Sequence, residues 1–275
     1  MCTLTGRAEV AVDHAETAVG LEPDPCYDPF EAGWAQYWEA YAHLFAGRVE
    51  RAVEIAAALA AQPGTAGLHG QGSFPAFLSN AGRHAEAIAI AEDTVTAARR
   101  HANPWFVAYA LYGYGRAFTQ EDPARALTAY REALDYTATH RVPLIQALIA
   151  IRLAGIEAVH GNREHALDLF DTALDSFHQA GNKAQLDLAL AHLAVFFDRA
   201  EQPQVAASLY GATTHQPAAT VVGDLPAAIA HLRAVLGDTV FNQYAATGAA
   251  MEPGDVVAYA HHHIRTTRTE STAPA

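Results

Sequence analysis

The stretch Pro123–Tyr136, PARALTAYREALDY, is nearly restated forty residues later by Asn162–Ser176, NREHALDLFDTALDS. Superimposed, Ala126 falls on Ala166, Tyr130 on Phe170 and Ala133 on Ala173, so a small–aromatic–small pattern recurs at helical spacing. Another forty residues on lie Ala206, Tyr210 and Thr213. Moving towards the N-terminus, Ala87, Ala91 and Thr94, then Ala52, Ala56 and Leu59, then Ala11, Ala15 and Ala18 occupy the same places. The anchors 11, 52, 87, 126, 166 and 206 are separated by 41, 35, 39, 40 and 40 residues. A period of this length restricts the chain to a stack of similar units, each burying its apolar face only against the next.

Each anchor segment is preceded by a turn and an earlier apolar helix. YALYGYGRAF leads through TQEDP into the unit at Ala126, and IAIRLAGIEAVHG leads through NRE into the unit at Ala166. Gly115 and Gly155 each lie eleven residues before their anchor. The spacing predicts helical hairpins in which glycine and alanine allow close approach while the aromatic fills space towards the neighbouring repeat. The fold class is therefore all-α.

These residues resemble the tetratricopeptide family. Leu111, Tyr114, Gly115 and Phe118 match its first helix, and Ala126, Tyr130 and Ala133 its second, with Pro143 a little late. The resemblance covers roughly residues 6–214, with a period nearer forty residues than the family's. It implies a right-handed superhelix of about five helical hairpins. The glycine-rich run Gln62–Phe77 breaks the pattern, and a short helix Phe74–Asn80 is expected there, with Pro75 in its first turn. Ala11–Ala18 reads as a second helix lacking its first, which suggests part of a longer protein.

After the array, HQPAATVVGD reads as a linker, followed by an amphipathic helix with Ile229, Leu232 and Leu236 on one face. Two further helices follow, beginning near Asp238 and near Glu252–Asp255. The expected organisation is a repeat array over 1–214, a small helical cap over 215–264 and a disordered tail over 265–275. ASLYGATTH together with the final LPAAIAHLRAVLGDTVFNQYAATGAAMEPGDVVAYA is similar to the C-terminal end of large actinobacterial signalling proteins. In those proteins a class III adenylate cyclase domain or a LuxR-type helix-turn-helix is joined to a P-loop ATPase and a tetratricopeptide sensor.

Composition narrows the chemistry. A formal charge of −13 disfavours non-specific binding to nucleic acid or anionic membrane. Two cysteines, Cys2 and Cys26, make no disulfide framework, and a cytoplasmic location is expected. Lys183 is the only lysine and lies in no Walker loop, so neither ATP nor another cofactor is expected. His261, His262 and His263 point in different directions on a helix, and no metal site is read from them. His160 and His165 flank a turn, while Glu92-Asp93 and Glu121-Asp122 read as solvated charge. No catalytic constellation emerges.

The aromatic run Trp105, Phe106, Tyr109, Tyr112, Tyr114 and Phe118 cannot all face one core. The tetratricopeptide resemblance places first helices on a concave face. It thereby implies a binding groove of Tyr109, Tyr112, Arg116, Gln120, Arg152, His160, His192 and Arg199, suited to an acidic peptide. The alternative has the arginines paired with neighbouring glutamates and the tyrosines filling gaps between repeats. Trp34, Tyr37, Trp38 and Tyr41 form a second aromatic helix, read chiefly as packing and otherwise as a flank where another domain docks.

The function expected is that of a non-catalytic, protein- or peptide-binding sensor or scaffold in a bacterial signalling or transcription-regulatory system. Its partner would be a protein, an acidic peptide or an ATPase or effector domain, with no direct nucleic-acid or membrane contact. The alternatives are a C-terminal fragment of a larger cyclase or LuxR-type ATPase regulator, and a stand-alone DNA-binding regulator.

Overall fold

A computed structural model describes residues 7–20, 33–213 and 222–272. Among these residues the chain forms fourteen helices and no strand. They are α1 Ala8–Val19, α2 Trp34–Phe45, α3 Val49–Ala60, α4 Gly64–Asn80, α5 His84–His101, α6 Pro104–Phe118 and α7 Pro123–His140. Then come α8 Pro143–His160, α9 Arg163–Gln179, α10 Lys183–Arg199, α11 Pro203–Ala212, α12 Leu225–Leu236, α13 Asp238–Ala249 and α14 Pro253–Thr272. None is long and apolar enough to cross a membrane, among the described residues. Cys2, Cys26 and most of the expected linker lie outside the described residues.

The turns follow from a few residue choices. Gly47, Gly82 and Gly181 take positive φ of 77°, 73° and 63°, the left-handed conformation that glycine adopts without steric cost. Each lets the next residue's N–H reach back to a helix carbonyl: Arg48 to His43, Arg83 to Leu78 and Asn182 to Phe177, at 2.8–2.9 Å. Ala102, Arg141 and Glu201 make left-handed turns of another kind, each followed two residues later by a proline that opens the next helix. Asn103, Asp122, Asn162 and Asn182 cap the helices after them by accepting backbone N–H bonds.

The chain divides into two compact units, residues 1–149 and 150–275. In the first, α1 packs on α2, α2 on α3, α3 on α4, α4 on α5 and α6, and α6 on α7. Most of the recurring anchors lie in its core: Ala52, Ala56, Ala87, Ala91, Ala126, Tyr130 and Ala133 are all 1% exposed or less, whereas Ala15 and Thr94 are half-buried and Ala18 is exposed. In the second unit Ala166, Phe170, Ala173 and Ala206 are fully buried. Tyr210, in the last repeat, is half-buried against Phe241 of α13 at 5.7 Å between ring centroids.

Gly115 and Gly155 do different jobs despite their matching spacing. A side chain at Gly115 would run into the Tyr130 ring, its Cβ 2.6 Å from Cε1, so this glycine seats the aromatic of its own hairpin. A Cβ at Gly155 would instead lie 3.0 Å from His192 Nδ1 on α10. Phe170 does reach the next repeat, meeting Phe196 edge-on with centroids 6.0 Å apart.

Two elements depart from the sequence expectation. The glycine-rich run is helical from Gly64, ten residues before the expected start. Weak helix propensity is overridden because the glycines are contact surfaces: a Cβ at Gly67 would meet the Gln62 carbonyl, and one at Gly70 the backbone of Leu59 and Ala60. The tail expected to be disordered from residue 265 continues as α14 to Thr272. Ile264 and Thr267 are buried there, Gln202 donates to Thr267 Oγ1 at 3.0 Å, and Arg268 pairs with Asp168 at 2.7 Å.

The cap helices close onto the last hairpin within the second unit. Glycines again permit the approach, since a Cβ at Gly211 would strike the Ala245 backbone and one at Gly248 the Ser208 carbonyl. Val222, Leu225 and Ala228 bury against Leu188, Ala191 and Val195 of α10, with Ile229 at the edge. Leu232 is 1% exposed whereas Leu236 is half-buried, so the amphipathic face of α12 is centred on Leu225–Leu232.

Candidate peptide-binding face

Trp34, Tyr37, Trp38 and Tyr41 recur at i, i+3, i+4 and i+7, which gathers four rings along one stripe of α2. Trp105, Tyr109 and Tyr112 do the same on α6 at i, i+4 and i+7. Beside them runs α4, whose Gly72 faces α6 near Phe106 and Tyr109. Rings from α2 and α6 meet: Trp34 and Trp105 centroids are 5.7 Å apart, and those of Tyr37 and Tyr109 are 5.9 Å apart. α4 supplies His69, 4.5 Å from Trp34 and 4.9 Å from Phe106, and Phe77, edge-on to Tyr41 at 5.2 Å.

Burial sorts the array into two layers. Tyr37, Tyr109 and Tyr112 are 3–4% exposed and form the inner layer. Trp34, Trp38, Tyr41 and Trp105 are only half-buried. Trp34 stacks on Trp38 at 6.1 Å, and Trp105 on Tyr109 at 6.0 Å. Burial, with Tyr41 beside it, pushes the Tyr37 phenol well above its ordinary range, so it stays neutral and offers a proton for hydrogen bonding. The buried Tyr109 hydroxyl has no hydrogen-bond partner among the described residues. An unpaired buried hydroxyl is costly, and an incoming carbonyl can satisfy it.

The residues expected to line an acidic-peptide groove fall differently. In the first unit Tyr109 and Tyr112 are buried, Gln120 is exposed beyond the end of α6, and Arg116 donates to Asn80 Oδ1. In the second unit Arg152 is 6% exposed and donates to His192 Nε2 at 3.0 Å. Arg199 is exposed and pairs with Asp224 at 3.0 Å, while His160 is exposed at the end of α8. All three arginines thus have partners within the chain, an asparagine, a histidine and an aspartate, rather than the glutamates anticipated. The structure favours the reading of packed tyrosines and paired arginines at these positions, and it moves the best-formed aromatic surface to α2 and α6.

Other polar clusters are held internally. Glu157 is fully buried and accepts the Asn162 N–H at 2.7 Å, with His165 Nδ1 at 3.2 Å. A Cβ at Gly161 would strike the Glu157 carboxylate, so any larger residue there would have to displace it. His261 spans Asp171 and Asp175 at 2.5 and 2.9 Å. A shallow groove of about 590 Å³ between α5 and α7 is bridged by the Arg99–Glu132 and Arg125–Glu92 ion pairs. The joint between α2 and α6 is not legible in the sequence because its rings come from helices separated by three others in the chain, which no local pattern links. No family model matches the sequence, and no match is found among curated proteins.

Proposed function

We propose that the chain is a non-catalytic binding module, a tetratricopeptide-like right-handed superhelix of about five hairpins. On this reading the aromatic face of α2 and α6 holds a short protein segment with bulky apolar side chains. The observation that carries it is convergence: all three tryptophans of the chain lie in one array, each still half-buried. Tryptophan and tyrosine supply large contact areas at little conformational cost and dominate binding hot spots. The paired arginines shift the preferred ligand from an acidic peptide to an apolar one that offers a backbone carbonyl to Tyr109. The resemblance of the chain's end to cyclase and LuxR-type regulators supports a sensor role in bacterial signalling, with the segment supplied by a partner or effector domain.

The test is a random peptide display selection on the purified chain, with selected peptides titrated by tryptophan fluorescence. A Trp34→Ala/Trp105→Ala double variant that keeps its helical circular dichroism should weaken binding by roughly thirtyfold or more, the effect of losing hot-spot residues. Tyr109→Phe should leave stability intact and weaken the same peptides severalfold, because it removes only the hydroxyl. Selected peptides that bind the double variant as well as the native chain would show that this face is packing alone.

A further inference from the structure

The contact of α1 with α2 brings together three potential ligand side chains that the proposed function does not use. Ala11 and Val12 of α1 bury against Ala42 and Ala46 of α2, and these small residues let the helices lie close. Glu16 is thereby carried to Glu39 and His43, which share one face of α2 at i and i+4. One ligand atom from each lies within 4.8 Å of the others. His43 is 3% exposed and Glu39 is 7% exposed, while the Glu16 side chain is open to solvent.

His43 is the unusual member. Neither ring nitrogen has a hydrogen-bond partner among the described residues. Its Nε2 faces Glu16 Oε1 at 3.5 Å and Glu39 Oε1 at 4.0 Å, longer than a hydrogen bond needs. Burial, with Arg48 nearby, holds the imidazole below its ordinary value, and burial raises the Glu39 carboxyl despite Arg51. The surrounding cations are themselves engaged, Arg48 with Glu9 at 2.5 Å and Arg51 with Glu54 at 3.1 Å.

We propose that Glu16, Glu39 and His43 form a divalent transition-metal site of the Zn²⁺ class that fastens α1 to α2. Two ligands at tetrahedral angles around a metal, each about 2.0–2.2 Å from it, stand roughly 3.3 Å apart. The two His43 separations, 3.5 and 4.0 Å, therefore need to close by less than one ångström, and no pair of ligand atoms is more than 4.8 Å apart. One imidazole and two carboxylates suit zinc and its first-row neighbours, whereas Mg²⁺ and Ca²⁺ prefer all-oxygen shells. The dication balances the two carboxylate charges and gives the orphaned imidazole a partner. Three protein ligands leave a fourth position for water, and exposed Glu16 provides the entry path. Nδ1 lacks the orienting hydrogen bond common in metal sites, so the affinity should be moderate rather than extreme.

The test uses the full, tag-free chain stripped with a chelator and titrated with ZnCl₂ by calorimetry, alongside thermal unfolding with and without zinc. One equivalent is expected to bind and to raise the unfolding midpoint. Glu16→Gln, an exposed change compatible with folding, should weaken binding at least about tenfold and erase the midpoint shift. His43→Ala should remove the site, and His262→Ala, remote from it in sequence and on α14, should leave it intact. Absence of a stoichiometric site, binding unchanged in Glu16→Gln, or an equal response to MgCl₂ would overturn the proposal.

Discussion

Phe170→Ala is expected to lower the stability of the second unit by about 3–5 kcal/mol, measured by urea denaturation. The ring is fully buried on α9 between Ala166 and Ala173 and meets Phe196 edge-on, which in turn stands perpendicular to Phe197 at 5.4 Å. Removing it opens a fully buried cavity that Ala166 and Ala173, at i−4 and i+3 on the same helix, are too short to fill. The loss therefore includes the full cavity contribution as well as transfer to water. Tyr210 holds the same repeat position but is half-buried. Tyr210→Ala should accordingly cost clearly less, and equal losses at both positions would mean that the repeat pattern, rather than burial, sets the energetics.

The second large effect belongs to α4. Gly70→Val should destabilise the first unit by about 3 kcal/mol, at the upper end of ordinary overpacking. The obstacle is the backbone of Leu59 and Ala60, which cannot rotate away as a side chain could. To relieve the clash α4 must move from α3, and the Trp34–Trp105 contact beside it should loosen, with a matching change in near-ultraviolet circular dichroism. Gly72 provides the contrast two residues along. A Cβ there would meet its nearest neighbours at 3.9 and 4.0 Å, ordinary contact distances. Gly72→Ala should therefore be neutral or stabilising by up to ~1 kcal/mol, the helix-propensity gain of alanine over glycine. A clear loss there would show that α4 tolerates no added atom on this side either.

These two regions also mark what the sequence reveals and what it hides. The period of about forty residues announces the all-helical hairpins and the core anchors from Ala52 to Ala206, though not Ala15, Ala18 or Thr94, because small and aromatic residues at helical spacing have a purely local signature. Gln62–Phe77 misled for the opposite reason. Glycines usually signal loops, yet here they are the surface on which two helices touch, and only the partner helix reveals that. The tail was read as disordered from its polarity, whereas Thr267 and Arg268 are ordered by Gln202 and Asp168, more than sixty residues away in sequence. Arg116, Arg152 and Arg199 admit both a ligand-facing and a paired reading in the sequence, and Asn80, His192 and Asp224 lie against them in the fold. Glu16, Glu39 and His43 carry no motif because the third residue comes from a different helix.

The ordering of the tail has a consequence for how the second unit assembles. Most helices touch partners close in sequence, so their contacts close short loops and form early. The α14–α9 contact is different: His261 reaches Asp171 across 90 residues of chain. Closing so long a loop is entropically expensive, and its reward combines the burial of Val256, Val257, Ala260 and Ile264 with polar contacts from His261 and Arg268 to Asp168, Asp171 and Asp175. Hydrogen exchange should therefore find α14 opening ahead of α9 and α10. Because ion pairs near the surface are screened by added salt, raising the ionic strength should widen that difference, making the C-terminal helix a latch whose hold the surrounding electrolyte adjusts through Arg268.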